Sequence, residues 1–354
     1  MTDVLLVARD GGGTASAEIR VARRLVAHGH RVRVAGSPTI AHLASGLDFH
    51  PIEDTEPTPL AEHLSDRLDG ADIVVADCML HGALIAATVG GVPSAALMPT
   101  VYLADRRVGS TMAAQPKWGR VRTAINDARR GFGLPEVASV TDQILAADRV
   151  LVLTSRAFEL PDVRPPAHVT YVGPQLDDTP PGDWRPQWTD RPLVLVSLST
   201  SDQGQAELLH RLLAALGQLP VRALVTVGPA VDPARFDPPD NSTVERFVPH
   251  SAVLPHAALV VTHAGHGTVM AALRAGVPLV CVPMGRDQHD VAARVRHHGV
   301  GVSVTADADV PALTGTIQQV LADPGYTKAA QRMATAITAE DPDRVVDSIV
   351  AAAG

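Results

Sequence analysis

Short runs rich in valine and leucine alternate with longer stretches in which apolar residues recur every third or fourth position, from one end of the 354-residue chain to the other. The runs at 4–8, 31–35, 72–77, 94–98 and 149–154 predict strands, and the segments 15–28, 59–68, 81–89, 118–130 and 139–147 predict helices between them. These runs are apolar almost throughout rather than alternating, as in strands covered by helices on both faces, which points to βαβ units and a parallel sheet. After residue 192 the rhythm restarts, with strands at 193–197, 222–227, 243–247, 259–262 and 278–282 and helices at 203–216, 267–275 and 287–298. Three further helices are expected at 310–321, 327–338 and 344–353, and the pattern leaves open which half the last one packs on.

The stretch 174–192, PQLDDTPPGDWRPQWTDRP, follows neither period and reads as an extended linker. The expected fold class is therefore α/β, with two doubly wound, Rossmann-like parallel-sheet domains at 1–178 and 193–354 joined through 179–192. Two such domains facing each other would set a ligand cleft at the carboxyl ends of both sheets, so chemistry is to be sought in the loops there.

Composition narrows the picture. Hydrophobic residues make up 46% of the chain but only 5 Phe, 3 Trp and 3 Tyr are among them, so the cores must be filled by Ala, Val and Leu. With 30 Lys plus Arg against 38 Asp plus Glu, the formal charge of −8 gives no electrostatic reason for nucleic acid or an anionic membrane as partner. No apolar run is long enough to span a bilayer and the first residues lack the pattern of a leader, so the expected location is cytoplasmic. Cys78 and Cys281 lie in apolar runs far apart and read as buried small hydrophobes.

The richest segment is VVTHAGHGTVMAALRAGVPLVCVPMGRDQHDVAARV, residues 260–295, where a strand ends at His263 and a helix begins within 266–268. Gly265 and Gly267 let backbone N–H groups approach a phosphate, Thr268 offers a hydroxyl, His263 and His266 flank the turn, and the helix start favours negative charge. A bare HxGxG is equally served by a tight turn whose glycines only permit packing. One strand later, Asp287 and Gln288 open the next helix; an acid beside an amide can grip neighbouring sugar hydroxyls, or the Asp can simply cap the helix. Ser199 and Thr200, after the first strand of this half, can cap a helix or touch a diphosphate.

Taken in order, Phe247-Val248-Pro249, Leu254-Pro255, Thr262 to Thr268, Gly276-Val277-Pro278, Pro283 and Asp287-Gln288 resemble the donor signature of family 1 glycosyltransferases, nearest to actinobacterial antibiotic and natural-product members. The resemblance is strong over about 45 contiguous residues and looser over the two-domain layout. It implies a GT-B architecture that moves a hexose or deoxyhexose from a UDP- or dTDP-sugar to a hydrophobic small molecule, with inversion at the anomeric carbon. By the same resemblance the Val248 backbone would hold the nucleobase edge, and Ser199, Thr200, His263, the Gly265 to Gly267 backbone with His266, and Thr268 would hold the diphosphate. Asp287 and Gln288 would hold the sugar. The family needs no metal, and the nucleotide sugar is a co-substrate rather than a cofactor.

The first half departs from the pattern. Aligned through Gly29-His30-Arg31-Val32, the family's catalytic histidine falls on Thr14, a hydroxyl that cannot act as a general base near neutral pH. Asp10, at the end of the first strand, is the best replacement on position, although it can also brace the Gly11–Gly13 turn; Asp77 and His81 are second choices. His28 and His30 sit at the far end of the first helix, where histidine favours the dipole.

Three other signals carry less. Gly11-Gly12-Gly13 lacks the third glycine and the ribose-binding acid of a dinucleotide fingerprint. Asp307-Ala308-Asp309 matches a DxD metal motif but precedes Val310-Pro311 and reads as a helix cap. His263 and His266 lack a third ligand, so zinc is disfavoured. Beside O-glycosyl transfer stand C-glycosylation of an aromatic polyketide by an Asp base, nucleotide-sugar epimerisation, and an auxiliary protein that binds the donor without turnover. Tyr102, Trp118 and Phe132 are the aromatic candidates for acceptor contact, and a homodimer remains an open option.

Overall fold

The structure, a computed structural model, describes residues 1–103, 117–177, 184–186, 189–199, 203–229 and 231–354. Two compact units divide the chain. One comprises Met1–Arg156, Pro161–Gln175 and Glu340–Gly354, the other Ala157–Leu160 and Leu176–Ala339.

In the first unit β1 (Asp3–Ala8), β2 (Arg31–Gly36), β3 (Asp48–Pro51), β4 (Ile73–Asp77), β5 (Ser94–Met98), β6 (Arg149–Val152) and β7 (Val169–Tyr171) form a parallel sheet in the order β3-β2-β1-β4-β5-β6-β7. Every residue of β4 and β5 is buried, which is why these segments read as continuous apolar runs. The helix Gly13–Ala27 turns Ala15, Ile19, Ala22 and Leu25 onto this sheet, and Val345, Val346 and Ile349 of the last helix, Arg344–Val350, join the same core. That return is secured by Glu340, whose Oε1 accepts from Ser155 Oγ at 2.7 Å and from the Arg156 N–H at 3.0 Å.

The second unit repeats the plan with β8 (Leu193–Ser197), β9 (Arg222–Thr226), β10 (Ser242–Glu245), β11 (Ala257–Thr262), β12 (Leu279–Cys281) and β13 (Gly301–Ser303), in the order β10-β9-β8-β11-β12-β13. Its core is almost wholly Val, Leu and Ala, with Phe236 packed into it. Strand order reverses between β1 and β4 and again between β8 and β11, and ligands of doubly wound sheets bind beyond the carboxyl ends of strands at such points.

Strands β3, β7 and β13 are not evident from apolar periodicity. Each is three or four residues long, lies at or near a sheet edge, and in β3 and β13 is partly solvent-facing, so it lacks the buried run that marks the central strands. Cys78 and Cys281 are both free and buried, and burial pushes the Cys281 thiol up to about 12. No helix among the described residues is long and apolar enough to cross a membrane.

Candidate functional site

In the second unit the ends of β8, β11 and β12 lie level, because Ser197 is in register with Thr262 and Thr262 with Cys281. The loops that follow therefore emerge side by side. From β11 the chain passes through Ala264, held at a φ of 65°, into Gly265, the N-cap of the helix His266–Arg274. A Cβ on Gly265 would come within 2.6 Å of His263 Nε2 and Cε1, so glycine is required there for the imidazole to lie across the turn. At Gly267 the Cβ position meets no protein atom within 4 Å, leaving the helix start open to a ligand.

The polar groups at this turn are under-used. Thr262 Oγ1 and His263 Nδ1 are buried and have no hydrogen-bond partner. Burial, with the positive charge of Arg286, pushes the His263 imidazole down to about 4, and burial together with Arg294 pushes His266 down to about 3. Both rings are thus neutral near pH 7, and His263 can serve an anion as an N–H donor rather than as a cation.

The loops on either side are tied together. Gln288, 2% exposed, accepts the Met284 and Gly285 N–H groups on its Oε1 at 2.7 and 3.0 Å and donates from Nε2 to Gln203 Oε1 at 3.1 Å. Gln203 Nε2 donates in turn to Ser199 Oγ at 2.6 Å. Gln288 thus shapes the turn that carries Arg286, at a φ of 54°, and Asp287, whose carboxylate makes no capping hydrogen bond to its own helix Gln288–His297. Val248 is buried just after β10, next to Phe247, which is 73% exposed. Thr200, a predicted phosphate contact, lies outside the described residues. Of the predicted donor residues, Ser199, His263, Gly265 to Thr268, Asp287 and Gln288 occupy these adjacent loops at the carboxyl edge of one sheet, whereas Val248 follows the edge strand β10.

In the first unit the corresponding edge holds a cluster of ionisable groups. Asp77 ends β4 and is fully buried; its Oδ1 accepts from the Met79 N–H at 2.7 Å and lies 3.4 Å from Arg9 Nε. Glu18, one turn along the helix from Thr14 and also fully buried, accepts the Arg9 backbone N–H at 3.1 Å. Burial pushes the Glu18 carboxyl well above the usual carboxylate range, and the Asp77 charge beside it adds to the shift. His81, 3% exposed with both ring nitrogens unpartnered, is pushed down to about 4 by burial. Asp10 is engaged elsewhere: Oδ1 accepts from the Gly12 N–H at 3.3 Å and Oδ2 from Thr39 Oγ1 at 2.6 Å, bracing a turn in which Gly12 takes a φ of 79°. Glu18 went unseen in the sequence because one acid inside an amphipathic helix looks like an exposed one.

The remaining sequence signals find ordinary places. Asp309 Oδ1 caps its helix at the Ala312 N–H, 2.9 Å away. His28 Nδ1 meets the Arg24 carbonyl at 2.9 Å at the end of its helix, and Tyr102 is a buried core residue.

Two doubly wound sheets, one with an open helix start and the other with a buried carboxyl cluster at its switch point, define a two-domain α/β enzyme. The family described as "Erythromycin biosynthesis protein CIII-like, C-terminal domain" matches residues 210–352. The chain is 29% identical over 330 residues to 4'-demethylrebeccamycin synthase of Lentzea aerocolonigenes, covering 82% of this chain and 76% of that one. It is 28% identical over 381 residues to oleandomycin glycosyltransferase of Streptomyces antibioticus, covering 96% and 88%. The solved structure of the glycosyltransferase of kitacinnamycin shares the fold with a TM-score of 0.82 at 22% identity over 99% of this chain and 98% of that one. Glycosyltransferase VinC in complex with dTDP (TM-score 0.72, 21% identity, 99% of each chain) shares it too. So does spinosyn rhamnosyltransferase SpnG complexed with spinosyn aglycone, at a TM-score of 0.75 and 22% identity over 99% of this chain and 100% of that one. The chain is a glycosyltransferase of GT-B fold, similar to the family 1 enzymes of actinobacterial natural-product biosynthesis.

Proposed function

We propose that this enzyme transfers a hexose or deoxyhexose from a UDP- or dTDP-sugar to a hydrophobic small-molecule acceptor, inverting the anomeric centre and using no metal. The observation that carries this reading is the helix start at His266, open at Gly267, with the buried and unpartnered Thr262 Oγ1 and His263 Nδ1 beside it. Backbone N–H groups and a neutral imidazole there stabilise the charge that develops on the leaving diphosphate, so a metal is not required. Phe247 offers an exposed ring for the nucleobase next to the Val248 backbone, and Asp287, on a turn shaped by Gln288, meets the sugar hydroxyls. VinC, solved with dTDP, and SpnG, solved with an aglycone, support the same pairing of ligands here.

In the first unit Asp77 is better suited than Asp10 to receive the acceptor's proton, because both oxygens of Asp10 are spent on its turn. His81, held neutral down to about 4, is a weak base. The buried acids at the β1–β4 switch point favour an active transferase over a protein that only binds the donor. Calorimetric titration with UDP and dTDP is the test: either nucleotide binds in the micromolar to millimolar range, and the absence of heat from both at millimolar concentration overturns the reading.

A further inference from the structure

Glu18 and Asp77 come from different elements, the first helix and the end of β4, and both are fully buried. Two of their four oxygens have partners. Glu18 Oε2 takes the Arg9 N–H, Asp77 Oδ1 takes the Met79 N–H, and the two left without any partner are Glu18 Oε1 and Asp77 Oδ2, one on each carboxyl. Two buried carboxylate oxygens of adjacent acids repel each other, and one proton between them turns the repulsion into a hydrogen bond. Burial, and after it the Asp77 charge, raises the proton affinity of Glu18.

We propose that Glu18 and Asp77 act as one proton-accepting unit, standing in for the histidine that the family carries at the position of Thr14. This rests on the glycosyl-transfer reading above. In the step, the acceptor hydroxyl oxygen bonds to the anomeric carbon as the bond from that carbon to the diphosphate oxygen breaks. The electron pair leaves with the nucleoside diphosphate. The hydroxyl proton passes to Asp77, is held between Asp77 and Glu18, and is later released to solvent. Asp77 meets the acceptor, and Glu18 is a positioning residue that shares the proton once Asp77 has taken it.

A lone carboxylate of ordinary affinity is a poor base near neutral pH, whereas a pair that binds a shared proton more tightly approaches the strength of imidazole. The charged and titratable groups around the pair are Arg9, Cys78 and His81. Cys78 is held in its thiol form by burial, so Arg9 is the cation that balances the pair. Arg9 also lies over the pair: its side chain is 35% exposed and its Nε is 3.4 Å from Asp77 Oδ1, so an entering acceptor has to move it aside.

Infrared difference spectroscopy of the whole free protein tests the shared proton without any acceptor. A carboxylic-acid band persisting above about pH 5, beyond the ordinary carboxylate range, is expected; Glu18→Gln should remove it, and Asp77→Asn, which takes away the neighbouring charge but not the burial, should move its titration to lower pH. Its absence from the wild-type protein overturns the proposal by itself, even if either variant fails to fold. Turnover of UDP- or dTDP-glucose with a phenolic probe acceptor should rise with pH along the same titration as the band. In Glu18→Gln that rising limb should move to lower pH by about one unit or more and the plateau fall on the order of tenfold, with donor KM unchanged within about twofold. An unmoved limb in folded Glu18→Gln also overturns the proposal. If nucleotide binds and the band is missing, only the proton-accepting pair falls; if neither UDP nor dTDP binds, the glycosyl-transfer reading falls with it.

Discussion

The side-chain amide of Gln288 donates to Gln203 Oε1 at 3.1 Å while its own Oε1 accepts the backbone N–H groups of Met284 and Gly285. The loop after β12 is thereby fixed to the loop after β8, with the open helix start that follows β11 between them in sheet order. An amide that sequence reading assigns to a sugar hydroxyl is thus also the brace of the turn that presents Asp287.

Removing Gln288 takes the partner from two part-buried backbone donors, each worth up to roughly 1–3 kcal/mol. Gln288→Ala should therefore lower the unfolding free energy as well as raise donor KM. Gln203→Ala keeps the two backbone bonds and releases the link between loops together with the contact to Ser199 Oγ, so donor KM should rise several-fold with the melting temperature little changed. Parallel melting curves and donor saturation kinetics separate the two; equal loss of stability in both variants would count against the brace.

His263→Ala should lower turnover on the order of 10²-fold, the typical loss of one preorganised donor to a developing anion. Because burial holds the imidazole at about 4, it stays neutral from pH 5 to 8 and contributes no limb to the rate profile in that window. Gly265→Ala should act in the same direction without touching the histidine itself, since the new Cβ would sit 2.6 Å from the ring. Single-turnover kinetics with a labelled nucleotide sugar check both, and near-wild-type rates in His263→Ala would remove it from the diphosphate site.

His81 predicts how stability follows pH. Its folded affinity is depressed to about 4 from the ordinary 6.5, so the unfolded chain binds the proton first as pH falls. Stability is full above about 6.5 and is lost progressively between there and 4, by an amount on the order of 3 kcal/mol once both values are passed. His81→Leu, which forfeits no hydrogen bond because neither ring nitrogen has a partner, should flatten that loss. Urea denaturation at pH 7.5 and pH 5 measures it, and an identical drop in wild type and variant would refute the assignment.

Arg294 and Glu159 form a buried ion pair in the second unit, with Nε and Nη2 of Arg294 at 2.6 and 2.5 Å from Glu159 Oε1. It fastens the short segment Ala157–Leu160 to that unit, aided by His298 Nε2 at 3.0 Å from the Phe158 carbonyl. Arg294→Met should destabilise by about 3–5 kcal/mol by stranding a buried charge, while the double variant with Glu159→Gln should recover much of that loss. A double-mutant cycle in denaturant gives the coupling, and additive losses would show that the pair is not the fastening.

Much of this protein is determined by sequence alone. Buried parallel strands need unbroken Val, Leu and Ala runs and the helices between them need a 3.6-residue period, so β4, β5 and β8 and the helices that flank them follow from local pattern. The donor loops are equally legible, because glycines at 265 and 267 and a histidine at a strand end carry their chemistry within one short segment. Tertiary structure decided the rest. It set the short edge strands β3, β7 and β13, which have too few buried residues to leave a period. It returned Arg344–Val350 to the first unit's core, a contact between residues more than 300 apart in the chain. And it brought Glu18 against Asp77: an acid's partner across a fold leaves no mark on its neighbours in sequence, and only burial together makes two ordinary carboxyls a single proton site.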